Sequence, residues 1–300
     1  MSYDLLKTGS CSVILGEKHY SNFFTTKKGA LLKVTKLLSK HNELKHLDKV
    51  REIKDYDKYY TIPYREIIEI KKSDPFHFYL SRLVMYENMN IFDNNLHCFS
   101  IDHAGDNDML DIIDEMGIKS NNLFWKSYKD IVRFARHILR GLNFLHKKEL
   151  AHLDIKPENI MVNRETKQFK IIDFGFTQKY PFEEYIDSPR GTPGYFPRQF
   201  DFEKPNRWLP KIRANDFDKE DGEIIVKREP ELVYKVDSYC FGRVLYFLRE
   251  VFQDNKAIQC CNWNFNRRVK DNLDRLIVSL LENDVRLRLT PGECLELLDD

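Results

Sequence analysis

The chain reads as an α+β protein of two unequal lobes, a small β-rich lobe followed by a larger helical one. Three features predict this. Short β-like apolar runs fill the first third, strong helical periodicity dominates from residue 128 onward, and a glycine-containing break at Ala104-Gly105-Asp106 separates them.

In the first third, Val13-Ile14-Leu15 and Leu31-Leu32-Lys33-Val34 are strand-like runs set among Gly9, Gly16 and Gly29. Residues 36–54 predict a helix, because Leu37, Leu38, Leu44, Leu47, Val50 and Ile53 fall near one face. Two further strands are expected at Tyr59–Tyr64 and Leu96–Ile101. A long aromatic and charged connection lies between them, with Phe76, Phe78, Tyr79 and Tyr86 expected to pack locally. From Tyr128 to His146 the apolar positions Ile131, Phe134, Ile138, Leu142 and Leu145 recur at spacings of three and four, a strong helical signature. Ile160-Met161-Val162 and Phe169–Ile172 then predict a hairpin. After Pro193 the chain turns charged and irregular until about Pro230, and helical periodicity returns at Val236–Phe252 and Leu273–Leu281.

Composition narrows the class of function. With 42% hydrophobic and 32% charged residues the chain is globular rather than disordered. The net charge of +1 supplies no global field toward nucleic acid or an anionic membrane, so neither partner is expected. The six cysteines form no C-x-x-C pair, which argues against a zinc site or a disulfide framework and for reduced thiols in a cytosol-like compartment. No signal-peptide pattern opens the chain, and no apolar run approaches the length of a membrane span. A cytoplasmic location is expected.

The densest chemical signal is His152-Leu153-Asp154-Ile155-Lys156-Pro157-Glu158-Asn159, between a long amphipathic helix and a β run. The next β run ends in Asp173-Phe174-Gly175. Three motifs follow in order: Gly191-Thr192-Pro193-Gly194-Tyr195, then Asp237-Ser238-Tyr239-Cys240-Phe241-Gly242, then Asp284-Val285-Arg286-Leu287-Arg288-Leu289-Thr290. Together these resemble the catalytic loop, D-F-G, activation-segment end, D-x-W-S-x-G helix and D-P-x-x-R-x-T segment of the eukaryotic-type Ser/Thr protein kinases. The resemblance implies one kinase domain over residues 1–300, with an N-lobe of about 1–104 and a C-lobe of 105–300. Phosphoryl transfer needs metal held against ATP, a carboxylate near the incoming hydroxyl and a cation near the γ-phosphate. By resemblance Asp154 orients the hydroxyl and accepts its proton, Lys156 steadies the transferring group, and Asn159 and Asp173 hold Mg²⁺. Lys156 and Thr192 fit the Ser/Thr rather than the Tyr pattern, dual specificity being left open, with protein substrates as partners.

The first lobe resembles the family less closely. Ala30-Leu31-Leu32-Lys33 resembles V-A-I-K, making Lys33 the lysine for the ATP α/β-phosphates. Glu43 is chosen as its helix partner over Glu52, because Glu43-Leu44 with Leu47 and Val50 matches the family's helix. The glycine-rich loop retains one glycine: Lys7, Gly9 and Ser12 take the three glycine positions and Ile14 the valine. Ile101 falls at the gatekeeper position, Asp102 to Ala104 at the hinge, and Leu31 and Met161 where the family sandwiches adenine.

Three departures stand out. Leu153 replaces the arginine that in regulated kinases grips a phosphorylated loop, so activity without phosphorylation at Thr177, Tyr185 or Ser188 is expected. Pro197, Arg198 and Gln199 replace A-P-E, removing the glutamate expected opposite Arg288. The charged stretch between Gln199 and Asp237 is longer than the family needs and reads as a surface insertion. A pseudokinase, acting as a nucleotide-binding or scaffolding module, is the chief alternative. A small-molecule kinase ranks below it, because such enzymes lack G-T-P-G-Y. The short glycine loop and compact length also resemble kinases of large DNA viruses, which would place the protein in host cytoplasm or the virion.

Overall fold

The computed structural model describes residues 7–8, 12–16, 30–36, 44–84, 96–118, 124–179, 192, 194–195, 197, 231–254 and 267–299. The chain divides into two compact units. The sheet unit comprises Met1–Asp48, Thr61–Ala104 and Asp173–Gly175, and the helical unit comprises Lys49–Tyr60, Gly105–Ile172 and Phe176–Asp300. The class is α+β, as the sequence predicts.

The sheet unit is built on five antiparallel strands in the order β1-β2-β3-β5-β4, where β1 is Lys7–Thr8, β2 Ser12–Leu15, β3 Leu31–Lys36, β4 Pro63–Ile70 and β5 Leu96–Ile101. Alternation along the strands gives the sheet two faces. Val13, Leu15, Leu32, Val34, Leu96 and Cys98 point to one face, where they form a core with Ile70 and with Phe76 and Leu80 of the helix Pro75–Val84. The register pairs Ile14 with Lys33 and Lys33 with Phe99, and Leu31 with Ile101, so these residues share the opposite face. A one-residue slip would bury Lys33 in the apolar core, and so the core pattern itself fixes where that lysine stands.

Helix α1 (Leu47–Arg51) spans the division at Lys49, where the helical unit begins, and α2 (Tyr56–Tyr59) follows in that unit. With the Pro75–Val84 helix of the sheet unit as α3, the helical unit continues through α4 (Met109–Ile118), α5 (Tyr128–Lys147), α6 (Glu231–Asp254), α7 (Arg267–Leu280) and α8 (Pro291–Asp299). Helix α5 is the axis of its core. Ile131, Phe134, Ala135, Ile138, Leu139, Leu142 and Leu145 are buried, and a capping box between Ser127 and Asp130 starts the helix. Phe134 meets Phe169 at 4.8 Å and Phe241 at 5.7 Å, with Trp125 stacked on Phe169. The expected hairpin is β8 (Ile160–Asn163) with β9 (Gln168–Ile171), extended by β6 (Asn107–Asp108). β7 (Leu150–Ala151) pairs with β10 (Gln178–Lys179).

Three expectations need correction. Tyr59–Tyr64 is not a strand: Tyr59 ends α2, Tyr60 makes an isolated bridge to Ile171, and β4 starts at Pro63. The run mimics a strand because its residues 59–63 are buried, yet Tyr59 stacks on His137 at 4.9 Å and the Tyr60 hydroxyl donates to the Gly141 carbonyl. Of the helix expected over 36–54, Lys36 belongs to β3, residues 37–43 lie outside the described residues, and the helix itself runs Leu47–Arg51. Beyond it the Ile53 and Tyr56 N–H groups bond to the Val50 and Ile53 carbonyls, with Asp55 between at φ 56°. The connection expected from Arg65 contains the rest of β4 and the whole of α3; Phe76 packs into the core, whereas Phe78 stays exposed beneath Arg82. No helix among the described residues is long and apolar enough to cross a membrane.

Candidate active site

Beyond β7 the chain enters residues 152–156, and a single buried carboxylate sets their shape. Asp237, on α6 and fully buried, accepts from the His152 N–H at 2.8 Å through Oδ2 and from the Leu153 N–H at 2.7 Å through Oδ1. The His146 Nε2–H donates to the same Oδ2 at 2.9 Å, while the His146 ring stacks on Tyr234. These bonds hold Leu153 at φ 65°, a left-handed conformation costly for a bulky side chain. The tautomer of His152 follows from its partners. Nε2 faces the Ile172 carbonyl at 3.1 Å and must carry the proton, which leaves Nδ1 to accept the Asp154 N–H at 3.3 Å.

Asp154 is therefore delivered by a loop braced at both preceding residues. Its side chain is the centre of a compact polar cluster. Asn159, at the end of the 3₁₀ turn Pro157–Asn159, donates through Nδ2 to the Asp154 carbonyl at 2.8 Å and to Oδ2 at 2.9 Å. The Thr192 hydroxyl donates to Oδ1 at 2.8 Å and accepts from the Lys156 ammonium at 2.6 Å. Lys156 Nζ also lies 3.2 Å from Asp154 Oδ2. Four of the sequence-predicted residues thus meet in one bonded group. Asp154 is 4% exposed and Lys156 retains 20% of its side-chain surface, so the group is buried yet open on the lysine side.

Tyr195 N–H bonds back to the Thr192 carbonyl at 3.2 Å, closing a turn with Gly194 in its third position at φ 92°. That φ is what a type II turn demands there, and glycine supplies it without steric cost.

In the sheet unit, Lys33 is 8% exposed, and its Nζ lies 3.7 Å from Asp173 Oδ1 and 5.9 Å from the centre of the Phe99 ring. Asp173 sits at φ 64°, accepts from the Gly175 N–H at 3.2 Å, and keeps 41% of its side chain exposed beside the buried Phe174. Leu31 and Ile101 stand opposite one another on the Lys33 face, and Ile14 neighbours Lys33 from β2. Ser12 lies on the same strand as Ile14, while Asp102 and Ala104 follow β5 without regular structure. Met161, in the helical unit, is half-buried on β8. Gly9 and Glu43 lie outside the described residues. Glu52, the alternative partner for Lys33, is exposed in the helical unit and pairs with Lys148 at 3.0 Å.

Two further positions change on inspection. Thr177 is 2% exposed and so is closed to modification, whereas Tyr185 and Ser188 lie outside the described residues. Arg288 is 1% exposed and has no carboxylate partner among the described residues. Its Nε donates to the Glu282 carbonyl and Nη1 to the Lys235 carbonyl, with the Tyr239 ring 4.9 Å away. Burial pushes its pKa down to about 10. Gln199, the residue expected opposite it, lies outside the described residues.

Sequence reading missed His146 and Arg243. His146 reaches Asp237 across more than ninety positions, and Arg243 donates through Nε to the Gly194 carbonyl at 3.1 Å. Neither stands out from the other polar residues of its helix in the sequence.

Comparison with known proteins matches residues 28–199, more than half of the chain, to the family described as Protein kinase domain. Myosin light chain kinase family member 4 of Homo sapiens is 43% identical over 181 residues, covering 56% of this chain and 40% of that protein. The Mus musculus protein of the same name is 37% identical over the same length. Myosin light chain kinase 3 of Homo sapiens is 42% identical, with 19% of its length covered. The chain spans 40% or less of the length of these relatives.

Proposed function

The chain belongs to the protein kinase family, and from that premise we propose that it transfers the γ-phosphate of Mg·ATP to serine or threonine hydroxyls of protein substrates. The observation that carries this reading is the Asp154–Asn159–Lys156–Thr192 group. A carboxylate locked in one rotamer by an amide and a hydroxyl, beside an ammonium, suits proton acceptance next to a developing negative charge.

The lone-pair count assigns the oxygens. Oδ2 of Asp154 receives Asn159 and faces Lys156, whereas Oδ1 receives only Thr192 among the described residues. Oδ1 therefore keeps a lone pair for the substrate hydroxyl and takes its proton as the hydroxyl oxygen bonds to phosphorus and ADP departs. Lys156 Nζ, held 2.6 Å from Thr192 Oγ1 and 3.2 Å from Asp154 Oδ2, offers its remaining N–H to the transferring phosphoryl oxygens. Lys33 serves the α/β-phosphates.

Asn159 in the helical unit and Asp173 in the sheet unit each carry an oxygen of the kind Mg²⁺ takes. Nδ2 of Asn159 is committed to Asp154, which turns the amide oxygen away as a hard ligand, and the Asp173 carboxylate is partly exposed. Magnesium is commonly held by one or two such oxygens together with phosphates, so no larger acidic cage is needed. When bound, the ion would neutralise phosphate charge. Thr192, bonded to both Asp154 and Lys156, supports Ser/Thr over Tyr specificity.

The test is transfer from γ-labelled ATP onto a generic protein substrate, with Mg²⁺ and with chelator, followed by phosphoamino-acid analysis. Phosphoserine or phosphothreonine formed only with Mg²⁺ is the expected product. Phosphotyrosine alone would overturn the specificity. ATP binding without transfer would assign a scaffolding role instead.

A further inference from the structure

The face of α6 that receives the Thr192–Tyr195 turn carries a cation that no carboxylate pairs among the described residues. Arg243 spends its Nε–H on the Gly194 carbonyl. Its guanidinium lies over the Phe247 ring at 4.9 Å and near Tyr246 at 5.9 Å, while the Tyr195 ring stands 6.1 Å from Phe247. A guanidinium has five N–H donors in a planar fork, and among the described residues only Nε–H is engaged, which leaves both terminal amino groups for a ligand. Among the described residues no carboxylate pairs with Arg243. Arg249, nearly two turns further along the same helix, shows the contrast: it is paired with Glu250 and with Asp274, the latter at 3.1 Å.

The location gives that fork a use. Gly194 is two residues from Thr192, hence within about 7 Å of it along the chain, and Thr192 is bonded to Asp154. An extended peptide advances about 3.3 Å per residue. A peptide presenting its hydroxyl to Asp154 therefore brings a side chain about two to four residues away within reach of Arg243. The ring of Phe247, 37% exposed, backs the guanidinium and keeps it rigid.

Resting on the reading of Asp154 as the group that receives the substrate hydroxyl, we infer that Arg243 is a specificity-determining residue. It binds an anionic side chain, carboxylate or phosphate, of the protein substrate near the phosphoacceptor. Both anions match the fork through paired N–H···O bonds.

The experiment uses dye-labelled peptides with one serine acceptor and, two to four residues to either side, alanine, aspartate, phosphoserine or lysine. Affinity by fluorescence anisotropy and initial rates of transfer are measured on the same peptides with the full chain. The expected result is about fivefold tighter binding and lower KM for an anionic peptide than for alanine. Gains from both anions assign general acidic recognition, and a gain from phosphoserine alone assigns phosphate. Arg243→Met should erase the discrimination and Arg243→Glu should reverse it in favour of lysine, an inversion that a mere brace for Gly194 cannot give. Charge-selective binding without transfer upholds Arg243 and removes the turnover reading instead. Affinity independent of peptide charge, or an Arg243→Glu protein that weakens all peptides alike, overturns the inference.

Discussion

Asp237 takes three donors on one buried carboxylate, and two of them are backbone N–H groups of the loop that carries Asp154. Asp237→Asn replaces one acceptor oxygen with an NH₂ that faces those donors. The substitution is expected to cost about 3 kcal/mol, read as a lowered urea midpoint, and to slow transfer because Leu153 is no longer held at positive φ. An unchanged midpoint would show that the loop is braced elsewhere. His137 makes a second prediction. Burial lowers its pKa below 6.5, despite the bond to the Phe169 carbonyl at 2.8 Å. Below pH 6.5 the unfolded chain then binds more protons than the folded one, so stability falls as pH drops from 6.5 toward the folded pKa. His137→Gln should lose less stability between pH 7.5 and 5.5 than the wild type does. At this scale the sequence was most informative for Asp154, Lys156 and Asn159, whose types and spacing are dictated by the chemistry. It was silent on His146 and Arg243, whose partners are distant in sequence and become visible only once α6 is placed.

The elements divide in the same way. Helix α5 is legible because its apolar stripe and its Ser127/Asp130 box agree, two local signals pointing to one start. The buried run Tyr59–Ile62 misleads, because burial on all sides erases the periodicity that separates strand from linker. α8 went unread although its cap is written in the sequence: Thr290 and Glu293 form a reciprocal box, with Glu293 accepting from Thr290 N–H at 2.7 Å and from its hydroxyl at 2.8 Å, and Pro291 in the first position. Thr290→Ala should cost about 1 kcal/mol, measured by denaturant unfolding. The Thr290 bonds hold the Glu293 carboxyl below its usual pKa of 4.5. Its contribution is thus complete above pH 4.5 and fades as pH falls through the folded value. A wild-type advantage over Glu293→Gln that persists unchanged at the lowest pH would contradict this cap.

For the molecule as a whole, the division into a sheet unit and a helical unit was legible from the change in periodicity along the chain. The assignment of Lys49–Tyr60 to the helical unit and of Asp173–Gly175 to the sheet unit was not, because it depends on which contacts the chain makes after folding. Two departures bear on regulation. Leu153 is buried and apolar where a phosphate-gripping cation would stand, and Thr177 is buried. Exhaustive phosphatase treatment should therefore leave the rate of transfer unchanged. A loss of activity that rephosphorylation restores would mean that a cation elsewhere does the gripping.

The central claim is that Asp154 accepts the proton of the substrate hydroxyl. It is tested most directly by single-turnover transfer from labelled ATP with Asp154→Asn beside the wild type, nucleotide affinity being measured on both. The amide preserves the shape of the Asn159–Thr192 cluster but cannot take a proton, so transfer should fall by a factor of about 10² to 10⁴ with ATP affinity retained. Transfer at the wild-type rate in the variant would contradict the account.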